Sequence, residues 1–188
     1  MHYEVEQKHR VEDVTALVDR LAQRGVSLQA PISQSDQYFA HPARDFAKTD
    51  EALRIRTGGT SAFVTYKGPK LDMATKTRRE LELPLHPTDT NGTKFAELLA
   101  ALGFRPVAMV RKQRRQFHIE FNGHPVEGSL DDVEYVGMFV ELELAASDEG
   151  LEPAKQAIRE LAKELCLGPS ERRSYLELLL EKGLHGAN

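Results

Sequence analysis

The 188-residue sequence is poor in cysteine, because it contains only Cys166 and has no CxxC pair. This excludes an intramolecular disulfide framework and a CxxC zinc or redox motif. Cys166 falls late in an apolar stretch with helical spacing. We predict that it is a small buried residue rather than a nucleophile.

Long apolar runs are also missing. No stretch approaches the ~18 apolar residues that a membrane-spanning helix needs. Residues 1–6 carry acidic groups where a signal peptide would have its apolar segment. We therefore expect a soluble, cytoplasmic protein with no membrane partner, and the length suits one domain over residues 1–188.

The sequence has no block of charge of one sign. It contains 29 acidic and 25 basic residues, and its formal net charge is −4. This balance argues against a disordered tail or a polybasic arm. The negative sum disfavours nucleic acid as a partner. A basic cluster at residues 111–115 would be divided between the two faces of a strand, which weakens that interpretation further.

Hydrophobic periodicity and turn residues predict an α+β protein of about seven or eight strands. Strands are predicted at residues 3–9, 38–39, 52–57, 61–68, 76–84, 107–120, 124–133 and 138–144. Helices are predicted at residues 12–24, 93–102, 151–165 and 171–182, the last capped by Ser170. Gly58-Gly59 and Asn122-Gly123 indicate hairpins, and closing such a sheet into a barrel would remove its edges.

Charged side chains recur at every second position on several of these strands, so the charges of each strand share one face. A half-exposed sheet produces the same alternation, with its charges in water. Here, however, like charges are neighbours, as in Arg54 with Arg56 and Glu141 with Glu143. Because like neighbours repel, their recurrence favours charged faces that point into a common interior. The apolar stripes of the helices would then cover the outer face of the sheet.

Separate acidic and basic sets suit a site with two tasks. Carboxylate oxygens bind hard divalent cations, whereas lysine and arginine bind phosphate oxygens. Both sets on one concave face predict a metal-assisted polyphosphate site.

The charged strands contain motifs of definite spacing. They are ExExK at residues 4–8, EALRIR at 51–56, YKGP at 66–69, KxRxExE at 76–82, KxR at 112–114 and GxFxExE at 137–143. In this order they resemble the CYTH superfamily, also called triphosphate tunnel metalloenzymes, over nearly the whole chain. Residues 36–39 with 45–46, 130–133 and 174–179 are most similar to its class IV adenylyl cyclase branch.

The resemblance implies an α+β fold in which an eight-stranded antiparallel β-barrel forms a tunnel, with helices packed outside. It implies Mg²⁺ or Mn²⁺ as the cofactor. The leading metal ligands would be Glu4, Glu6 and Glu143, with Glu141, Glu80 and Glu82 beside them. The triphosphate would contact Lys8, Arg54, Arg56, Lys67, Lys76, Arg78, Lys112 and Arg114.

The same resemblance makes Lys8, Arg114 and Asp131 catalytic candidates, with Asp131 near the metals or the nucleophile. A class IV cyclase would direct the ribose 3′ oxygen of ATP at the α-phosphorus and release pyrophosphate. A triphosphatase would use the same groups to activate water against the γ-phosphorus. A non-catalytic nucleotide or polyphosphate sensor is a third interpretation, which the large carboxylate set disfavours. The resemblance is compatible with a homodimer.

Overall fold

The computed structural model describes residues 2–69 and 78–183. The strands are β1 (His2–Arg10), β2 (Ile32–Ala40), β3 (Ala52–Gly58), β4 (Ser61–Lys67), β5 (Glu80–Pro84), β6 (Arg105–Phe121), β7 (His124–Val133) and β8 (Gly137–Ser147). The helices are α1 (Val14–Gln23), α2 (Phe46–Thr49), α3 (Thr93–Ala101), α4 (Leu151–Glu164) and α5 (Tyr175–Glu181).

The strands form one eight-stranded sheet in the order β1-β8-β7-β6-β2-β3-β4-β5, and every pairing is antiparallel. The sheet curls so that its two ends approach each other, because Glu4 on β1 bridges to Arg78, just before β5. The predicted α+β class and the curled eight-stranded antiparallel sheet are confirmed.

The largest apolar core lies on the outer face of the sheet. Alternate residues of β1, β6, β7 and β8, such as Val5, Phe117 and Leu142, pack against α1 and α4 through side chains such as Leu17 and Ile158. A smaller cluster packs α3 against the outer face of β2 and β3. Because apolar residues occupy the outer positions, the alternating charged residues face inward.

Helix α5 packs on the inner face instead. Its residues Tyr175, Leu178 and Leu179 share a buried cluster with Val110 and Phe139. Val110 lies two residues from Lys112 on β6, so the apolar and charged parts of the inner face are continuous. The helix therefore fills one end of the curled sheet, next to the charges.

The predicted start of this last helix is wrong. Ser174, not Ser170, is the N-cap, and it forms a capping box with Glu177. Ser170 forms an isolated bridge with His9. The pattern Ser-x-x-Glu at residues 174–177 is the sequence signal for this start.

The prediction for Cys166 is also wrong, because the residue is exposed. Helix α4 has its C-cap at Leu165, and Cys166 follows with φ of 53°, a left-handed conformation common just after a helix end.

The bounds of β2 and β5 depart clearly from the prediction. β2 covers Ile32–Ala40 instead of residues 38–39, because its polar residues pair with β3 and β6 on both sides. β5 begins at Glu80, and residue 76 of the predicted strand lies outside the described residues. Among the described residues, no helix has the length and apolarity that a bilayer crossing requires.

Gly128 provides a test of the outer core, because it lies opposite Phe117 in the β6–β7 pairing. A Cβ on Gly128 would come within 2.1 Å of the Phe117 ring. We expect Gly128→Ala to lower the free energy of unfolding by ~1–3 kcal/mol, the usual cost of overpacking. Chemical denaturation measures it, with Gly168→Ala as the control, since a Cβ there meets nothing within 4 Å. Equal stability of both variants would contradict this packing.

Candidate functional site

Three carboxylates meet on the inner face where β1 pairs with β8. Glu6 lies directly opposite Glu143, and Glu4 is two residues along β1 on the same face. One carboxylate oxygen from each residue lies within 4.8 Å of the others. Alternation along two neighbouring strands thus brings together the three residues that the sequence analysis named as leading metal ligands.

Burial and mutual repulsion act on the carboxylate cluster of Glu4, Glu6 and Glu143. Burial, together with repulsion from Glu143, Glu80 and Glu6, raises the pKa of Glu4 to about 8, although Lys67 opposes the shift. Burial and repulsion from Glu141 and Glu6 raise the pKa of Glu143 to about 7. Closely spaced hard oxygen donors with raised pKa values fit a divalent cation such as Mg²⁺ or Mn²⁺, which would relieve the repulsion.

The other three predicted metal ligands contact protein donors. Glu80 forms an ion pair with Lys67, whose Nζ lies 2.6 Å from Glu80 Oε2. Glu141 accepts from Arg114, and Glu82 accepts from the Thr65 hydroxyl at 3.0 Å. These carboxylates lie outside the cluster of three and hold cations or a buried hydroxyl in place.

Asp36 on β2 holds two of the predicted phosphate-binding arginines. Arg56 donates from Nε and Nη2 to the two Asp36 oxygens, both at 2.7 Å, and Arg54 lies 3.4 Å from Asp36. Although burial alone would raise it, Arg56 and Arg54 hold the pKa of Asp36 well below its ordinary value. Asp36 thus fixes the direction of both guanidinium groups.

Lys67 and Arg78 join the basic set to the carboxylate cluster. The Lys67 ammonium lies 2.6 Å from Glu80 and 3.7 Å from Glu4. Despite burial, the nearby carboxylates raise its pKa, with Glu4 the largest favourable cause. Arg78 is buried and bridges to Glu4 through the backbone. Lys76 lies outside the described residues.

Asp131 on β7 holds two cations of the neighbouring strand β6, Arg114 and Lys112. Its oxygens accept from Arg114 Nε at 2.7 Å, from Arg114 Nη2 at 2.6 Å and from Lys112 Nζ at 3.0 Å. Asp131 has no exposed surface. It lies within the basic set, and the three-carboxylate cluster does not include it.

Lys8 on β1 is directed towards the segment before α5. Its ammonium donates to the Arg173 carbonyl at 2.6 Å and lies 4.0 Å from the centre of the Tyr175 ring. Only 1% of Lys8 is exposed. Its position two residues from Glu6 on the same face still places it between the carboxylate cluster and α5.

A cavity of about 580 Å³ opens beside these groups. Its inner part is lined by charged and polar side chains, namely Glu6, Lys8, Arg54, Thr65, Lys67, Arg78 and Glu141. Its outer part is formed by the β2–β3 connection, with Pro42 and Phe46, and by α5, with Leu176 and Leu180. These apolar side chains alternate with charged ones such as Arg44 and Glu51. A ligand with a polyanionic end and an organic end matches this division.

Asp36 is part of the sequence motif at residues 36–39, and Glu127 belongs to none of the sequence motifs. Strand register places Glu127 directly opposite Glu143, so its carboxylate shares the face of the carboxylate cluster. The signal for Glu127 was the alternation of residues 127, 129 and 131 along one strand. Asp36 gave a weaker signal, because its partners lie 18 and 20 residues away.

Comparisons with known proteins agree with this geometry. The family model of the CYTH domain matches residues 2–175. A Methanocaldococcus jannaschii protein with a provisional adenylate cyclase name is 38% identical over 178 residues, 93% of this chain and 97% of that protein. Adenylate cyclase CyaB of Aeromonas hydrophila is 32% identical over 182 residues, 94% of this chain and 88% of that protein. The solved structure of a Pyrococcus horikoshii protein has a TM-score of 0.84 at 38% identity and covers 95% of this chain and 99% of that one.

The raised pKa values predict how stability depends on pH. In the metal-free folded protein Glu4 and Glu143 retain protons up to about pH 8 and about pH 7, whereas ordinary glutamates release them near 4.5. The folded state therefore binds more protons in this window, and its stability falls as pH rises through it. We expect the Tm of metal-free protein to fall between about pH 5 and pH 8, and saturating Mn²⁺ to remove most of the fall.

Thermal unfolding of a matched pair of variants tests whether Glu4 causes the pH dependence and the Mn²⁺ response of the Tm. Glu4→Gln should reduce both the pH dependence and the Mn²⁺-induced rise in Tm, while Glu97→Gln, at an exposed position on α3, should change neither. Equal Mn²⁺ responses in wild-type protein and Glu4→Gln would contradict the metal site.

Proposed function

The chain belongs to the CYTH family, and we propose that it is a metal-dependent enzyme that converts ATP to cyclic AMP and pyrophosphate, in the manner of a class IV adenylyl cyclase. The observation that supports this most strongly is the two-part cavity, which joins a charged inner part that contains four cations to an outer part that contains a cluster of apolar side chains. Its volume of about 580 Å³ falls within the range of small-molecule sites. The adenylate cyclase names of the two relatives support the choice of reaction.

The basic set is proposed to bind the triphosphate. Lys8, Arg54, Lys67 and Arg78 line the cavity itself. Arg56, Lys112 and Arg114 are held behind them by Asp36 and Asp131, and Lys76 completes the proposed contacts from outside the described residues. Guanidinium groups fixed by a carboxylate on one edge offer their remaining N–H groups to phosphate oxygens with little loss of side-chain entropy.

The apolar side chains of the outer part favour a nucleotide over inorganic triphosphate. Phe46, Leu176 and Leu180 would be covered by a base, whereas an inorganic triphosphate would leave them in contact with water. Removing apolar and aromatic surface from water contributes favourably to binding. This part of the cavity is therefore proposed as the location of adenine.

Glu4, Glu6 and Glu143 are the proposed primary metal ligands, with Glu141, Glu80 and Glu82 as further candidates. A bound Mg²⁺ or Mn²⁺ supplies Lewis acidity, which lowers the pKa of a hydroxyl and neutralises phosphate charge.

In the proposed reaction the ribose 3′ oxygen forms a bond to the α-phosphorus, its proton passes to solvent, and the bond to the bridging α–β oxygen breaks. Lys8 and Arg114 are proposed to stabilise the charge on the departing pyrophosphate. Asp131 is proposed to act through the cations that it holds.

Hydrolysis of the triphosphate is the second candidate, and the position of the carboxylate cluster favours it. Along β1, the charged residues Glu4, Glu6 and Lys8 lie on the inner face, and Lys8 is the one of these next to α5. Glu4 in the cluster lies four residues from Lys8, or about 13 Å along an extended strand. A nucleotide with its base beside α5 would extend its γ-phosphate towards the cluster. Attack by water on that phosphorus would then give ADP and orthophosphate.

Product analysis distinguishes the two reactions. We expect ATP with Mg²⁺ or Mn²⁺ to give cyclic AMP and pyrophosphate, measured by chromatography and ³¹P NMR. ADP and orthophosphate would instead support the hydrolase. Glu6→Gln should lower either activity at least ~100-fold. Loss of a residue that only orients a metal ligand already costs up to ~100-fold, and Glu6 is proposed as a ligand itself. Absence of turnover of ATP and tripolyphosphate with both metals would contradict an enzymatic function.

A second variant tests the location of the base. Because base–aromatic stacking is worth ~1–3 kcal/mol, Phe46→Ala should raise the KM for ATP about tenfold. It should leave the inhibition constant of tripolyphosphate, measured in competition with ATP, unchanged. Leu98→Ala, at an exposed position on α3, serves as the control. Equal weakening of ATP and tripolyphosphate by Phe46→Ala would contradict the proposed base location.

A further inference from the structure

Tyr175, the first residue of α5, reaches from the apolar cluster into the charged interior. The residue is 6% exposed, and its hydroxyl donates to Asp131 Oδ2 at 3.0 Å. Burial and the nearby carboxylates of Glu141 and Asp131 raise the pKa of Tyr175 well above its ordinary value. The phenol therefore stays protonated and remains a donor.

The Asp131 carboxylate that receives this hydrogen bond also determines the direction of two cations. Arg114 occupies both carboxylate oxygens, and Lys112 shares Oδ2 with the Tyr175 hydroxyl. Asp131 is on a strand and is completely buried, so its orientation depends on these partners. Tyr175 is the only one of them that lies on a helix.

The Tyr175 ring makes a second set of contacts with the same cations. The Lys8 ammonium lies 4.0 Å and the Lys112 ammonium 5.2 Å from the ring centre, both within the range of cation–π attraction. Lys8 is also connected to the segment before α5, because its Nζ donates to the Arg173 carbonyl and its own carbonyl accepts from the Glu171 N–H. The start of α5 thus contacts both lysines and, through Asp131, Arg114.

We propose that Tyr175 is a positioning residue for the proposed reaction, in which its hydroxyl orients Asp131 and thereby aligns Arg114 and Lys112 with the triphosphate. The use of this alignment in binding a triphosphate rests on the proposed function. The alignment of Arg114 and Lys112 by Asp131 is itself a property of the ligand-free protein. Helix α5 accordingly belongs to the site as well as to the apolar cluster.

The physical reason lies in the competition around Asp131. The tyrosine hydroxyl is a neutral donor, so it satisfies a lone pair on Oδ2 without adding positive charge beside Arg114 and Lys112. Without it, Oδ2 would keep only the Arg114 and Lys112 cations as donors, and the carboxylate would turn towards them. Because the contact with Arg114 uses two parallel bonds, a small rotation of Asp131 weakens both.

Tyr175 could contribute through its hydroxyl or only through the packing of α5, and two variants separate these roles. Tyr175→Phe keeps the ring, its cation–π contacts and its packing, and removes only the hydroxyl. Leu178→Val loosens α5 in the same apolar cluster and leaves the hydroxyl in place. Tyr135→Phe removes an exposed hydroxyl and controls for the substitution itself.

The test measures hydrogen exchange at Arg114 Nε–H by ¹⁵N NMR in full-length, ligand-free protein. We expect Tyr175→Phe to accelerate this exchange about tenfold, in line with the loss of a hydrogen bond to a charged group. In Leu178→Val and Tyr135→Phe the exchange rate at Arg114 Nε–H should stay within about twofold of wild type, because neither variant removes a hydrogen bond to Asp131. In the wild-type protein the Tyr175 hydroxyl proton should itself exchange slowly enough to be observed.

Unchanged exchange in Tyr175→Phe would overturn the inference, and so would equal acceleration in Leu178→Val. If Tyr175→Phe does not fold, a Tyr175 hydroxyl proton that exchanges too fast to detect in wild type would overturn it as well. In turnover assays we expect Tyr175→Phe to lower kcat about tenfold with a smaller change in KM, because alignment matters most in the transition state. Failure of the proposed function would appear separately, as absence of turnover in wild type while the exchange difference persists.

Discussion

The structure depends on mutual compensation among charges that have been removed from water. A buried charge without a partner costs several kcal/mol, and a buried pair is stable only if its geometry is good. Asp36 satisfies this condition by accepting from Arg54 and Arg56, and Asp131 does so for Lys112 and Arg114. In both cases one carboxylate on one strand serves two cations on a neighbouring strand. The interior can therefore hold a dense basic set without a ligand.

The usual layering of a half-buried sheet is reversed to make this possible. The apolar face of the strands points outward and is covered by α1, α3 and α4, so hydrophobic burial stabilises the fold outside the site. The curl of the sheet then directs the polar faces of all strands towards one another. Helix α5 is the exception, because it supplies apolar side chains to the inner face at one end and ends the row of charges there.

The local part of this arrangement could be predicted from the sequence, and the non-local part could not. Alternation along a strand is a local property, so the shared faces of Arg54 with Arg56 and of Lys112 with Arg114 followed from spacing. Which carboxylate faces which cation depends on register between strands, and the role of Asp36 was missed for that reason. The site assignments as a whole stay predictions. The error in placing the helix cap at Ser170 was avoidable from local sequence, because the Ser-x-x-Glu pattern at residues 174–177 predicts a capping box there.

The two charged sets of the interior differ in their electrostatic surroundings, and this difference bears on ligand binding. Arg56 and Arg114 contact their aspartates through Nε and Nη2, and a guanidinium has a second edge that can bind a phosphate oxygen while the first contact persists. The aspartates thus orient the arginines without blocking them. In the carboxylate cluster, Lys67 lies 3.7 Å from Glu4, and burial together with repulsion between the carboxylates raises the pKa of Glu4 and of Glu143. A divalent cation would complete the cluster, and a triphosphate would then find cations on both sides, so the binding of each would favour the other through their opposite charges.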